Sequence, residues 1–172
     1  MSRNTKIVAI TTAALVLVVA VLAWLNQGSV AGKKSIQESG AFLITADGSQ
    51  YTVTMRDLEE IDYGVVDANY KTNLMPAVQK KYTGVSLKSI FEYYGVDYAG
   101  SKSVGFSAAD GYVSAASMSR AIDGDNCFIV FEEAGKPLGT MESGGVGPYM
   151  AIFAKDLFSQ RWCKYLIEIR IY

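Results

Sequence analysis

Hydrophobic positions recur along this chain with two periods, and one stretch follows neither. Residues 7–25, IVAITTAALVLVVAVLAWL, run for nineteen positions without a charge behind Arg3 and Lys6. As a helix at 1.5 Å per residue the run is about 28 Å long, close to the hydrocarbon thickness of a bilayer. The pattern predicts one N-terminal transmembrane helix through 7–25. The basic leading flank places the start of the chain in the cytoplasm and the remainder on the extracytoplasmic face. Ser29-Val30-Ala31 ahead of Gly32 has the small residues of a signal cleavage site, so a secreted product cut before Gly32 is the alternative. The expected organisation is a membrane anchor or signal peptide over 1–31, a polar tether over 32–40 and one domain over 41–172.

Within that domain the period-2 pattern dominates. Residues 41–45 and 50–54 read as strands joined through Ala46-Asp47-Gly48, a hairpin signal. Thr54 can cap a short helix with Met55, Leu58 and Ile61 inward. The same order of strand, Asp-Gly, strand and helix returns over 103–123, turning at Asp110-Gly111; two copies make recurrent hairpin chemistry, not a repeat architecture. Between them, 65–69 reads as a strand and 71–83 as a loop containing Pro76. Residues 86–94 form a helix with Leu87, Ile90, Phe91 and Tyr94 at i, i+3, i+4 and i+7, stopped at Gly95. Three further strands are expected at 127–132, 149–153 and 163–171, the last with Cys163, Tyr165, Ile167, Ile169 and Ile171 on one face. The fold class is α+β, richer in strand than helix.

Composition narrows the chemistry. The chain has no histidine, which excludes Ser-His-Asp and Cys-His catalysis and every His-ligated metal or haem site. Cys127 and Cys163 form no CxxC pair, which excludes a zinc ribbon or a thioredoxin-type motif. Both lie on apolar strand faces and read as buried free thiols. All 17 acidic residues lie beyond Ala31 with all but two of the 16 basic ones, so the exported part is mildly acidic and has no nucleic-acid footprint. Asp123, Asp125, Glu132 and Glu133 lack the spacing of a calcium loop and read as solvated.

Six segments stand in one order: YTVTMRDLEEI, YTGVSLKSIFEYYGV, FSAADGYVSAAS, FEEAGKPL, GGVGPYMAIF and RWCKYLIEIRI. Together they resemble the molybdopterin-binding domain of sulfite-oxidase-type oxidoreductases over roughly 41–172. The resemblance implies a compact mixed-sheet fold that holds a pterin in a cleft. Two family features are replaced. The segment that carries the metal-binding cysteine has Ala68 near that position, and the arginine that follows the Gly-Pro pair gives way to Tyr149 and Met150. The closing segment keeps Arg161 and Lys164 where the family approaches its cofactor.

The candidate ligand-binding residues are therefore Tyr112, Gly145, Gly147, Tyr149, Arg161 and Lys164. Gly145 and Gly147 belong to ESGGVGPYMAIF, where glycine either lets amides line a cleft or only turns the chain. Tyr112 and Tyr149, among eleven tyrosines, directly follow turns that match family landmarks. Arg161 and Lys164 either hold a phosphate tail or are solvated. No catalytic or metal-binding residue is expected, and no bound cofactor, although the resemblance allows molybdopterin. Two functional classes follow. One is a non-catalytic membrane-anchored module that binds a small ligand or an extracytoplasmic protein partner; the other is a molybdopterin-dependent oxidoreductase with atypical metal ligation.

Overall fold

The computed structural model describes residues 11–22, 36 and 39–172, in two units divided after Ser35. In the first, residues 11–22 form helix α1. Both ends of the 7–25 span and most of the 32–40 tether lie outside the described residues. Among the described residues no helix is long and apolar enough to cross a membrane.

The second unit opens with a hairpin of β1 (Phe42–Ala46) and β2 (Ser49–Val53). Asp47 and Gly48 both take left-handed φ, 45° and 79°, the backbone that a two-residue hairpin turn demands. Helix α2 (Met55–Glu60) starts at Thr54, whose N–H and hydroxyl each donate to Asp57 Oδ2 at 2.7 Å, and it buries Leu58 completely. Strands β3 (Gly64–Tyr70) and β4 (Val78–Ser86) follow. Helix α3 (Leu87–Tyr94) begins where Ser86 Oγ accepts from the Ser89 N–H at 3.0 Å and stops at left-handed Gly95, burying Leu87, Ile90 and Phe91. A second hairpin, β5 (Ser103–Ala108) and β6 (Val113–Ser117), leads into the one-turn helix α4 (Met118–Ala121). Strands β7 (Cys127–Glu133), β8 (Lys136–Pro137) and β9 (Met150–Phe153), a 3-10 turn at Ser159–Arg161 and β10 (Leu166–Ile171) complete the chain.

The strands form two sheets, one mixed and one antiparallel throughout. One has the order β2-β1-β10-β5-β6, with β10 parallel to β1 and antiparallel to β5. The other has the order β3-β4-β7-β8, with β9 also paired to β7. Apolar faces from both meet in one core, where Phe106 of β5 stands edge to face with Phe153 of β9 at 5.7 Å.

Two expectations need correction. Residues 78–83, read as part of a loop, are the first two thirds of β4, the longest strand. Gln79, Lys80 and Lys81 hide it, because this half of β4 lies against β3 with a polar outer face while only Tyr82 turns fully inward. The closing strand starts at Leu166 and not at Cys163. Tyr165 takes φ of 52° and breaks the alternation, and the register against β5 shifts between Leu166 and Glu168. Cys163 instead forms an isolated bridge with Ala151.

Gly84 sits where β4 changes register against β7. A Cβ there would run into the Ile129 carbonyl and come within 2.7 Å of Val130 Cα, backbone that cannot step aside, whereas Gly64 in β3 has open space. Urea unfolding should show Gly84→Ala destabilised by about 1–3 kcal/mol, the cost of an overpacked core, with Gly64→Ala near neutral. Equal midpoints for the two variants would contradict this packing.

Both cysteines are free and fully buried. Burial pushes the Cys163 thiol up to about 12 from 9.0, with Asp110 adding to the shift, and raises Cys127 in the same direction. A raised thiol pKa favours the fold below the unfolded value, and that contribution is lost as the pH climbs from about 9 to about 12. A thiol reagent at pH 8 should leave both residues unlabelled in the folded protein and label both after unfolding. Rapid labelling of folded protein would refute their burial.

Candidate functional site

The closing segment, residues 154–165, is built into the domain by contacts from three directions. Trp162 is buried against Tyr70 of β3 and Tyr82 of β4, each with a centroid separation of 5.7 Å, and its Nε1–H donates to the Phe153 carbonyl at 3.4 Å. The Tyr112 hydroxyl donates to the Gln160 carbonyl, and Ser114 Oγ donates to the Arg161 carbonyl at 2.9 Å. Ser159 donates through both N–H and Oγ to the Lys71 carbonyl, at 3.0 and 2.7 Å. The β5–β6 hairpin and the end of β3 thus clamp the segment between them.

Against that clamp lies a recess of about 210 Å³ lined by Asp110, Tyr112, Trp162 and Lys164. Asp110 Oδ1 accepts from the Tyr112 N–H at 2.9 Å, which fixes the turn that presents both side chains. Lys164 Nζ stands 5.8 Å from the Tyr70 ring centroid, and Lys80 reaches the same ring at 5.1 Å. Partial burial raises the Tyr112 pKa, with smaller contributions from Cys163 and Asp110, so the phenol stays a neutral hydrogen-bonding group. The recess offers an aromatic edge, one cation and one carboxylate. Asp110, which the sequence presented only as a turn residue, is the member that pattern reading overlooked.

Arg161 does not share this recess with Lys164. The turn Ser159–Arg161 aims it away, toward Arg120 and Asp156, where its Nη1 lies 3.6 Å from Asp156 Oδ2. Spacing in the sequence suggested a joint phosphate grip; the backbone separates the two cations.

The glycine turn is occupied with itself. Gly145 N–H donates to the Thr140 carbonyl and Gly147 N–H to the Gly139 carbonyl, both at 2.8 Å, and Val146 N–H to the Leu138 carbonyl at 3.0 Å. A Cβ on Gly145 would collide with the Leu138 carbonyl and lie 2.7 Å from Gly139 Cα, so glycine here permits two backbone strands to touch. Gly145 borders a recess with Leu138 and Val146, but the amides of Gly145 and Gly147 are spent on these backbone bonds. The Gly147–Pro148 peptide is cis. Tyr149 is also directed inward: it is fully buried edge to face with Phe42 at 5.1 Å, its hydroxyl donates to the Gly40 carbonyl at 2.8 Å, and burial lifts its pKa to about 12. Of the six candidates, Tyr112 and Lys164 converge, Arg161 joins another group, and Gly145, Gly147 and Tyr149 hold the scaffold.

The donor chemistry can be tested against molybdenum in the same way. Ala68 is buried in β3 opposite Lys80, and Met150 is buried in β9 opposite Val130, so neither position presents a thiolate or a guanidinium. Cys127 and Cys163 are sealed inside as neutral thiols. Among the described residues no group of three or more Cys, Asp or Glu could hold a metal ion. The side chains present do not fit a thiolate-held molybdenum. The acidic stretch reaches neighbouring lysines instead, Asp123 to Lys155 at 2.9 Å and Glu133 to Lys80 at 2.7 Å.

Comparison with known proteins gives two results. Residues 49–172 match the family model described as the oxidoreductase molybdopterin binding domain. Among solved structures, the sulfane dehydrogenase SoxCD from Paracoccus pantotrophus superposes with a TM-score of 0.65 at 15% identity, over 79% of this chain and 39% of that one. The likeness to SoxCD is one of fold, and this chain spans about two fifths of that longer chain. No curated protein sequence matches. With the two sheets, the clamped closing segment and a family match over most of its length, the chain belongs to the oxidoreductase molybdopterin-binding domain family.

Proposed function

We propose that this chain is a membrane-anchored, extracytoplasmic member of the family that binds a small ligand through the recess at Tyr112 and Lys164 without molybdenum redox chemistry. The observation that carries the reading is the fate of sulfur in this domain. Ala68 supplies no thiolate, and the two cysteines that exist are buried with raised pKa values. A soft ligand for the metal is missing where the family supplies one.

The recess favours a flat, anionic group. Tyr112 provides an aromatic surface, Lys164 a cation, and Asp110 an acceptor for a ring N–H. At about 210 Å³ it is smaller than the roughly 300–1,000 Å³ of a site for a whole drug-sized molecule. It therefore takes one part of a ligand and leaves the rest at the surface. The anchor rests on the uncharged 7–25 run behind Arg3 and Lys6.

Family membership favours a second reading, a molybdopterin-dependent oxidoreductase with unusual ligation. Elemental analysis and pterin release on the full chain, purified from a host that makes molybdopterin, separate the two. The expected result is no stoichiometric molybdenum. Near-stoichiometric metal with a releasable pterin would restore the enzyme.

Anchoring has its own test. Carbonate-washed membranes should retain the protein with residues 1–31 intact. A soluble product beginning at Gly32 would establish the cleaved form.

A further inference from the structure

Beside the Tyr112 recess, and on other residues, the domain carries a more strongly charged concavity. It lies at the edge of the first sheet, where β6 has no further strand on its outer side among the described residues. Its lining is Lys102, Ser103, Ala115, Ala116, Ser117, Arg120 and Arg161, around a volume of about 420 Å³. The lining includes three cationic residues and two serines, and no Asp or Glu.

The two arginines come from different elements, Arg120 from α4 and Arg161 from the 3-10 turn. Asp156 holds both. Its side chain is only 9% exposed; Oδ1 accepts from Arg120 Nη2 and Oδ2 lies 3.6 Å from Arg161 Nη1. Asp156 itself lines the adjoining recess and not this one. One buried carboxylate therefore anchors two guanidinium groups from behind. Each guanidinium carries five N–H donors and spends few of them on Asp156, so the others remain for a ligand in front.

The charge balance points the same way. Lys155, close by, is neutralised by Asp123, which it meets with both carboxylate oxygens at 2.9 and 3.0 Å. Lys102 makes no ion pair among the described residues. Against Lys102, Arg120 and Arg161 stand Asp156 and the terminal oxygen of Tyr172, which accepts from the Lys102 and Ser103 N–H groups at 2.9 and 3.3 Å, so three cations still outnumber the anionic groups around the concavity.

We propose that this concavity is a binding site for a tetrahedral oxyanion of two negative charges, phosphate or sulfate, either free or as a monoester. The arginines supply forked donors, Lys102 a mobile third charge, and Ser103 and Ser117 neutral donors that suit the remaining oxygens. The site is independent of the Tyr112 and Lys164 recess and stands or falls without it.

The test is calorimetric titration of the full chain in detergent with inorganic phosphate, sulfate, phenyl phosphate and, at matched ionic strength, chloride. Saturable binding of the divalent ions is expected at about millimolar concentration or tighter, as a few charge-assisted bonds sustain, with none for chloride. Tighter binding of phenyl phosphate than of phosphate assigns a monoester as the guest; equal binding assigns the free ion. Lys102→Ala, which removes a side chain that makes no ion pair among the described residues, should weaken binding at least tenfold. Arg120→Gln should weaken it further, and Lys88→Ala on α3 should leave it unchanged. Circular dichroism verifies that each variant is folded. Divalent ions that bind no better than chloride, or a folded Lys102→Ala protein that binds as the unsubstituted chain does, would overturn the site.

Discussion

Ala151 and Cys163 exchange two backbone hydrogen bonds of 2.9 Å, and the Leu166 N–H reaches the Tyr149 carbonyl at 3.0 Å. Through these few bonds β9, which belongs to one sheet by its pairing with β7, also holds the chain that enters β10 at the centre of the other. The two sheets are thus linked by backbone as well as by packed side chains. The functional groups of the closing segment hang from this seam. Trp162 and Lys164 flank Cys163, Arg161 precedes it, and the Tyr165 hydroxyl donates to the Gly145 carbonyl at 3.0 Å, which locks the glycine turn to the same segment. Backbone pairing needs no particular side chain, so the seam can persist while the residues on it change.

That freedom explains how a member of a molybdopterin-binding family can keep its architecture with a different set of donors. The scaffold demands buried apolar volume at Ala68, Met150 and Cys163, and each satisfies that demand. It does not demand a thiolate or a guanidinium there. Cation density has instead gathered at the sheet edge, where Asp156 orders two arginines. A largely covered carboxylate that pairs with two half-exposed arginines sets where both guanidinium groups stand.

Much of this fold was legible in the chain because its signals are local. Asp47-Gly48 and Asp110-Gly111 marked both hairpins, and Ser86 with Gly95 marked both ends of α3. Strand β4 escaped because its evidence is not local: Lys80 and Lys81 look like loop residues until β3 and β7 are in place on either side. The site divided in the same manner. Tyr112 was found through the turn it follows, whereas Arg161 and Lys164, three residues apart, seemed one group until a 3-10 turn and a left-handed Tyr165 pointed them apart. Gly145 and Gly147 had two meanings in the sequence, and only the hydrogen-bond partners of their amides decide between them.

The position of β10 has a consequence for how the domain comes into being. This strand is the middle of its sheet, parallel to β1 on one side and antiparallel to β5 on the other, yet it follows every other strand in the chain. Until the last segment has been made, β1 and β5 each wait with an unpaired edge that nothing earlier can fill. Closing the parallel β1–β10 pair joins segments from opposite ends of the domain, so loop-closure entropy is lost before the pairing compensates. The waiting edges are open to pairing with other chains. Delivery of the final segment is therefore the step at which productive folding competes with aggregation, and a chaperone that shields the β1 edge would act on this protein's yield without touching its finished form.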